Sequence, residues 1–176
     1  LKDSQINSDY VVNGKKPQRG AASRNSKILL VDDDIEICRY LKSELSDWYR
    51  FVICNNGKAA LKQLLSGDFD LVVSDVVMPE MDGITLLKNI KGNANISHVP
   101  VIMLTSKSEI SDRLEGIKLG ADAYLAKPFS LEELHLTIDN LIDNVRRLKG
   151  KFSGALKQDD KVEKIEVKGN DEELME

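Results

Sequence analysis

The chain has 176 residues, of which 41% are hydrophobic and 31% are charged, with 25 Lys and Arg against 29 Asp and Glu and a formal net charge of −4. This length and composition fit about one globular domain with flanking segments and exclude a wholly disordered or fibrous protein. No apolar run approaches the ~20 residues of a membrane helix, so we expect no membrane contact by this segment. The acidic balance also argues against direct nucleic-acid contact, because phosphate binding needs concentrated positive charge.

The charge divides the chain into three segments. Residues 1–26 carry a net +3, are polar and show no periodicity, which predicts a linker. Residues 27–149 carry a net −4 and contain the apolar runs of the predicted domain. Residues 150–176 carry a net −3 and are predicted to be a linker followed by the start of another domain, because Asn170 and Glu173 form a helix-start pattern.

Five short apolar runs, rich in β-branched residues, predict buried strands: KILLV (27–31), RFVIC (50–54), DLVVS (70–74), PVIML (100–104) and AYLA (123–126). Between them lie stretches with helical spacing at 37–45, 61–65, 86–90 and 110–117, and a fifth helix follows the last run. Strand alternating with helix predicts an α/β fold, a doubly wound five-stranded parallel sheet with helices on both faces.

Helix-capping residues mark several element ends. Asp34 is expected to cap the helix after the first strand. Ser130 and Glu133 form a capping box at the start of the last helix, which is expected to end at Gly150.

The two cysteines, Cys38 and Cys54, lie among apolar residues without the spacing of a metal site. We expect both to be reduced core residues, as is typical of a cytoplasmic protein.

Polar residues follow four of the five runs, at the point where each predicted strand ends. Asp32 and Asp33 follow the first run, Asp75 the third, Thr105 the fourth and Lys127 the fifth. Because the carboxyl ends of parallel strands meet at one edge of a sheet, these side chains are expected to form one site. Three neighbouring carboxylates favour a hard divalent cation such as Mg²⁺, while the lysine and the hydroxyl suit an anion such as a phosphoryl group.

The motifs ILLVDDD, SDVVMPEMDG, IMLTS and YLAKPF, in this order and spacing, resemble the receiver domain of two-component response regulators over about residues 27–149. The resemblance implies a flavodoxin-like receiver fold. It also implies that Asp75 takes a phosphoryl group from a histidine kinase domain, either on another protein or on the same polypeptide. The transfer would then switch an output domain.

The resemblance also implies a metal site. By motif match, Asp33 and Asp75 would bind Mg²⁺ directly together with the backbone carbonyl of Val77. Asp32 would act on the ion largely through water.

Three further positions match residues with which the family binds the phosphoryl group and switches its surface. Lys127 would hold a phosphoryl oxygen, aimed by a cis bond to Pro128. Thr105 would reorient to hydrogen-bond the phosphoryl group, and Tyr124 would turn inward when Thr105 moves.

The flanks resemble those of large hybrid sensor proteins that join a histidine kinase and a receiver to an AraC-type DNA-binding domain. We therefore expect a transcriptional output, with a hybrid kinase whose receiver relays the phosphoryl group onward as the competing parent. The domain is expected in the cytoplasm, on a parent that could itself be anchored in the membrane. A homodimer through the fourth and fifth predicted helices is implied by the resemblance alone.

Two other functions remain open. Asp32, Asp34, Thr105 and Lys127 also resemble the motifs of haloacid-dehalogenase-type phosphatases, in which Asp32 would be the nucleophile. That family needs a further acidic motif on a strand after the lysine, whereas here a helix is predicted there. The phosphatase hypothesis also leaves Asp75 without a role. A receiver-like binding module that is never phosphorylated is the other alternative, although the acceptor and the lysine are both present.

The residues flanking the acceptor predict a long-lived phosphoryl group on Asp75. Val77, two residues after the acceptor, is apolar, and Lys107, two residues after Thr105, is a long cation, so neither orients an attacking water well. Val77→Asn is therefore expected to speed the loss of the phosphoryl group, measured as the dephosphorylation rate. An unchanged rate would show that this reasoning is wrong.

Overall fold

The computed structural model describes residues 11–12, 25–106 and 120–157. Its strands are β1 (Val11–Val12), β2 (Ser26–Val31), β3 (Tyr49–Cys54), β4 (Leu71–Asp75), β5 (Val101–Thr105), β6 (Ala123–Ala126) and β7 (Phe129–Ser130). Its helices are α1 (Ile35–Leu45), α2 (Gly57–Ser66), α3 (Gly83–Lys91) and α4 (Leu131–Lys157). The chain divides into two units, Leu1–Ile142 and Asp143–Glu176, and every strand among the described residues lies in the first. None of the described helices is both long and apolar enough to cross a membrane.

The main sheet has five parallel strands in the order β3-β2-β4-β5-β6. After β2 the chain first moves outward to β3 and then crosses to the other side of β2, so the strand order reverses between β2 and β4. This switch point opens a crevice at the carboxyl ends of the two strands. The predicted doubly wound parallel sheet is confirmed. Within the predicted linker, β1 pairs in parallel with β7, Val11 opposite Phe129.

Apolar side chains from both faces of the sheet form two core clusters. On one face, residues of α1 and α4 such as Leu41 and Ile138 pack against strand residues such as Leu30. On the other face, α2 and α3 contribute residues such as Leu64 and Leu87. Each fully buried side chain of this size stabilises the fold by about 1.5–3 kcal/mol relative to exposure, so the sheet is a rigid platform for its loops.

The predicted caps are present. The Asp34 side chain accepts hydrogen bonds from two backbone N–H groups in the first turn of α1. At the start of α4, the Glu133 N–H donates to Ser130 Oγ over 3.0 Å, and the Ser130 N–H donates to Glu133 Oε1 over 3.4 Å. Asn56 and Asp82 cap α2 and α3 in the same way.

The prediction that the last helix ends at Gly150 is wrong, because α4 continues to Lys157. A positive φ is a common mark of a glycine that ends a helix, and Gly150 does not have one. Inside a helix a glycine costs only about 1 kcal/mol, which flanking helix-forming residues offset. The predicted helix at 110–117, Lys107 and the helix start at Asn170 lie outside the described residues.

A buried polar network joins strand β3 to helix α4. The Tyr49 hydroxyl donates to Asp139 Oδ1 over 2.8 Å and lies 2.7 Å from His135 Nδ1. His135 Nε2 lies 3.3 Å from Asp139 Oδ2, and the Trp48 ring meets the His135 ring edge-on. His135 is buried, so its polar atoms need these partners. The network fixes the first turns of α4 against the edge of the sheet.

We predict that Tyr49 and Asp139 are energetically coupled. Tyr49→Phe and Asp139→Ala should each destabilise the fold by about 1–2 kcal/mol, because each removes one partner of the hydrogen bond between the Tyr49 hydroxyl and Asp139 Oδ1. The double variant should lose about 1 kcal/mol less than the sum of the single losses, as measured by urea unfolding. Strictly additive losses would show that the contact contributes no energy.

Candidate functional site: an acidic cluster at the carboxyl ends of the strands

Three carboxylates meet at the crevice where the strand order reverses. Asp32 and Asp33 directly follow β2, and Asp75 is the last residue of the neighbouring strand β4. One oxygen from each of the three lies within 4.8 Å of the others. We call Asp32, Asp33 and Asp75 the acidic cluster. The structure therefore brings together the carboxylates that the sequence predicted to be neighbours.

The three carboxylates differ in exposure and in how the backbone holds them. Asp32 is 1% exposed and Asp75 is 6% exposed, whereas Asp33 is exposed to solvent. Asp32 Oδ1 accepts a hydrogen bond from the Asp34 N–H at 2.9 Å, and Asp75 Oδ1 accepts one from the Val76 N–H at 3.0 Å. Because backbone donors fix two of the carboxylates, the cluster is held in place before any ligand binds.

Lys127 provides the positive charge of the site. Its Nζ lies 2.8 Å from Asp75 Oδ1, and both side chains are largely buried. Its backbone N–H donates to the Thr105 carbonyl over 2.6 Å, and its bond to Pro128 is cis, as expected. A buried ion pair is stable when its two charged groups lie close together. The hydrogen bond from the Lys127 backbone N–H to β5 keeps this lysine beside Asp75.

Thr105 is the last residue of β5, at the same edge of the sheet. The residue is fully buried, and within the described parts of the chain its Oγ1 has no hydrogen-bond partner. An unsatisfied buried hydroxyl costs about 1–3 kcal/mol, so a hydrogen-bond acceptor for this atom would stabilise the site.

Tyr124 lies on β6, opposite Met103 of β5. Its side chain is 38% exposed, so it does not point into the core in this structure. Partial burial nevertheless raises the pKa of its phenol. A backbone hydrogen bond at Ala121 lowers this pKa, and the negative charge of Asp122 raises it.

Val77 lies in the loop after β4, two residues beyond Asp75, and is half exposed to solvent. The loop is fixed at its end by the Gly83 N–H, which donates to the Val76 carbonyl over 2.7 Å. The Ser74 hydroxyl also donates to the Asp75 carbonyl over 2.9 Å. The sequence motifs do not single out Ser74 or Gly83 as site residues, although a hydroxyl inside the apolar run and a glycine at a helix start are recognisable signals.

The two cysteines are buried free thiols, which confirms their place in the core. The Cys38 Sγ lies 3.7 Å from the Asp32 carbonyl oxygen. Burial raises the pKa of the Cys38 thiol far above its usual range, and the negative charges of Asp32 and its neighbours raise it further. A thiol in this environment stays protonated and is a poor nucleophile or metal ligand.

Comparison with known proteins places this geometry in one family. The family model of the response regulator receiver domain, which describes the sequences of that family, matches residues 28–139. Histidine kinase P4 of Formosa agariphila is 42% identical over 130 residues, which are 74% of this chain and 10% of that protein. The chain also covers 53% of the probable transcriptional regulator ycf29 of Pyropia yezoensis and 55% of the transcriptional regulatory protein RprY of Bacteroides fragilis, each 40% identical. It therefore spans about half or less of the length of these three curated relatives.

Solved structures agree. The signal receiver domain of a histidine kinase from Syntrophus aciditrophicus is 34% identical, with a TM-score of 0.66 over 69% of this chain and 93% of that one. The receiver domain of the sensor histidine kinase PA1611 from Pseudomonas aeruginosa, described with a magnesium ion in its active-site cleft, is 28% identical. Its TM-score is 0.61 over 68% of this chain and 98% of that one. The chain therefore belongs to the response regulator receiver family and contains a receiver domain of a two-component signalling system.

Proposed function

We propose that Asp75 accepts a phosphoryl group from a histidine kinase in a Mg²⁺-dependent reaction and that the modified domain switches an output. The observation that carries this proposal is the 2.8 Å contact between Lys127 Nζ and Asp75 Oδ1 beside two further carboxylates. A carboxylate is a weak nucleophile toward phosphorus, so the site must offset the negative charge of the transferring group. Lys127 does so at the acceptor itself.

The acidic cluster fits Mg²⁺. Three carboxylate oxygens within 4.8 Å repel one another unless a cation lies between them, and oxygen ligands suit a hard divalent ion. We assign Asp33, Asp75 and the backbone carbonyl of Val77 as direct ligands, with Asp32 acting largely through water. When bound, the ion would neutralise charge on the phosphoryl oxygens.

Thr105 and Tyr124 form the proposed switch. The buried Thr105 hydroxyl, which has no partner among the described residues, would gain one by donating to a phosphoryl oxygen on Asp75. Movement of Thr105 would open space beside β6, into which the partly exposed Tyr124 ring could turn. The phosphoryl group would thereby favour one of two arrangements of this surface.

The phosphatase alternative is weaker. It makes Asp32 the nucleophile and Asp34 the acid, but the Asp34 side chain is already engaged as the N-cap of α1. Lys127 also contacts Asp75, which that mechanism does not use. A receiver-like module that is never phosphorylated remains the other alternative and fails if an acyl phosphate forms.

For the parent protein we propose a hybrid histidine kinase with a transcriptional output through an AraC-type domain. The relative Histidine kinase P4, in which the matching region is 10% of the length, supports such a multidomain parent. We also propose a cytoplasmic location for the domain, in keeping with its two buried free thiols. We further propose homodimerisation through the fourth and fifth predicted helices, at 110–117 and from Ser130 onward, and no direct nucleic-acid contact.

We predict that acetyl phosphate with Mg²⁺ adds one phosphoryl group to the wild-type chain and none to Asp75→Asn. Intact-mass spectrometry measures the adduct, and omission of Mg²⁺ should abolish it. Asp34→Asn is the matched control, because asparagine preserves the helix cap and this variant should still be modified. An equal adduct on Asp75→Asn would contradict the proposal.

We predict that Thr105→Val abolishes the switching response without lowering the stability of the fold. Because the hydroxyl is buried without a partner, its loss should leave the free energy of unfolding unchanged or raise it by about 1 kcal/mol. The variant should still be phosphorylated, but it should lose the change in Tyr124 environment that phosphorylation causes, as followed by NMR.

The control is Ser74→Ala, which removes a buried hydroxyl that does have an acceptor. It should destabilise the fold by about 1 kcal/mol. If Thr105→Val destabilises the fold by as much as Ser74→Ala, or switches normally, Thr105 does not have the proposed role.

A further inference from the structure

Residues 76–82 connect β4 to α3 and are here called the acceptor loop, because they directly follow Asp75. The loop ends at Gly83, whose N–H donates to the Val76 carbonyl. A Cβ atom at Gly83 would lie 2.1 Å from the Asp75 carbonyl oxygen, so only a glycine allows this close return of the chain. This contact fixes the two ends of the loop to each other.

A second glycine, on a different helix, holds the distal part of the acceptor loop. Gly57 is the first residue of α2, and its N–H donates to the Met81 carbonyl over 3.1 Å. A Cβ atom at Gly57 would lie 2.4 Å from that oxygen and 3.0 Å from Met81 Cβ. The obstacle is backbone, so no side-chain rotation could relieve it.

Helix α2 cannot easily move away to make room. Asn56 caps it, with Oδ1 accepting the Ala59 N–H at 2.7 Å. Its buried face, including Ala60 and Leu64, packs in the core. A larger residue at position 57 would therefore press on the Met81 backbone and displace the acceptor loop at that residue.

The loop also has a specific backbone shape next to this contact. Glu80 has a φ of 68°, in the left-handed region that is unfavourable for a residue with a Cβ atom. Such a conformation persists when the surroundings hold it, and the Gly57–Met81 bond lies at the next residue.

We propose that Gly57 is a positioning residue for metal binding and phosphoryl transfer. It allows the N-terminus of α2 to hold Met81, and so keeps the acceptor loop, including the Val77 carbonyl, in the shape that the acidic cluster needs. Gly57 itself touches neither the metal ligands nor the transferring group. The inference rests on the function proposed above, because it assigns Gly57 a role in that same reaction.

The test compares Gly57→Ala with Gly67→Ala, in the full chain. Gly67 follows the other end of α2, and a Cβ atom there would meet its nearest neighbours at ordinary distances of 3.5 and 3.7 Å. The rate of phosphorylation by acetyl phosphate is measured over a Mg²⁺ series, at a temperature where circular dichroism shows each variant folded. This gives both the half-saturating Mg²⁺ concentration and the rate at saturation.

Gly57→Ala is expected to raise the half-saturating Mg²⁺ concentration, and to lower the efficiency of phosphorylation by about 10- to 100-fold, since small displacements of a reacting site have effects of this size. Gly67→Ala should stay within about twofold of wild type. If Gly57→Ala lowers only the melting temperature, with the Mg²⁺ dependence and rate unchanged, the inference is overturned and the proposed function stands. If wild type forms no adduct that depends on Asp75, both are overturned.

A measurement on the wild-type chain keeps the inference testable if Gly57→Ala does not fold. Binding that requires the Gly57–Met81 bond must in turn stabilise it, by thermodynamic reciprocity. Hydrogen exchange of the Gly57 amide should therefore slow on addition of Mg²⁺, while that of the Gly67 amide should not. An unchanged Gly57 rate would overturn the inference.

Discussion

The structure is organised around the mutual repulsion of three carboxylates that the sheet places within 4.8 Å of one another. Parallel strands β2 and β4 end at the same edge, so Asp32 and Asp33, which follow β2, lie beside Asp75 at the end of β4. This arrangement is unfavourable unless positive charge offsets it. Lys127 supplies one charge at Asp75, and the remaining negative charge is the physical basis for proposing a divalent cation.

The rest of the molecule holds this arrangement in place. The two core clusters fix the strands, and backbone N–H groups orient Asp32 and Asp75 from within their own loops. Gly83 and Gly57 allow the loop after Asp75 to be held from two sides. A site preorganised in this way loses little energy to rearrangement when charge develops during phosphoryl transfer. Thr105 is not held in this way, because its hydroxyl is buried without a hydrogen-bond partner among the described residues.

The sequence predicted the strands and the meeting of the site residues, because both follow from local patterns. Each apolar run is a strand within one residue at either end, and the polar site residues predicted after four of the runs fall at the carboxyl edge. Features that depend on distant contacts were not predictable in this way. The extension of α4 beyond Gly150 depends on the backbone conformation at that glycine. Two other features depend on partners far along the chain: the pairing of β1 with β7 and the contact of Gly57 with Met81.

The central claim is that Asp75, rather than another carboxylate of the cluster, carries the phosphoryl group. The most direct measurement is reduction of the acyl phosphate with borohydride, which converts the modified aspartate to homoserine, followed by peptide sequencing by mass spectrometry. If Asp75 is the acceptor, homoserine is expected at position 75 after treatment with acetyl phosphate and Mg²⁺. Homoserine at position 32 would contradict it and support the phosphatase mechanism instead.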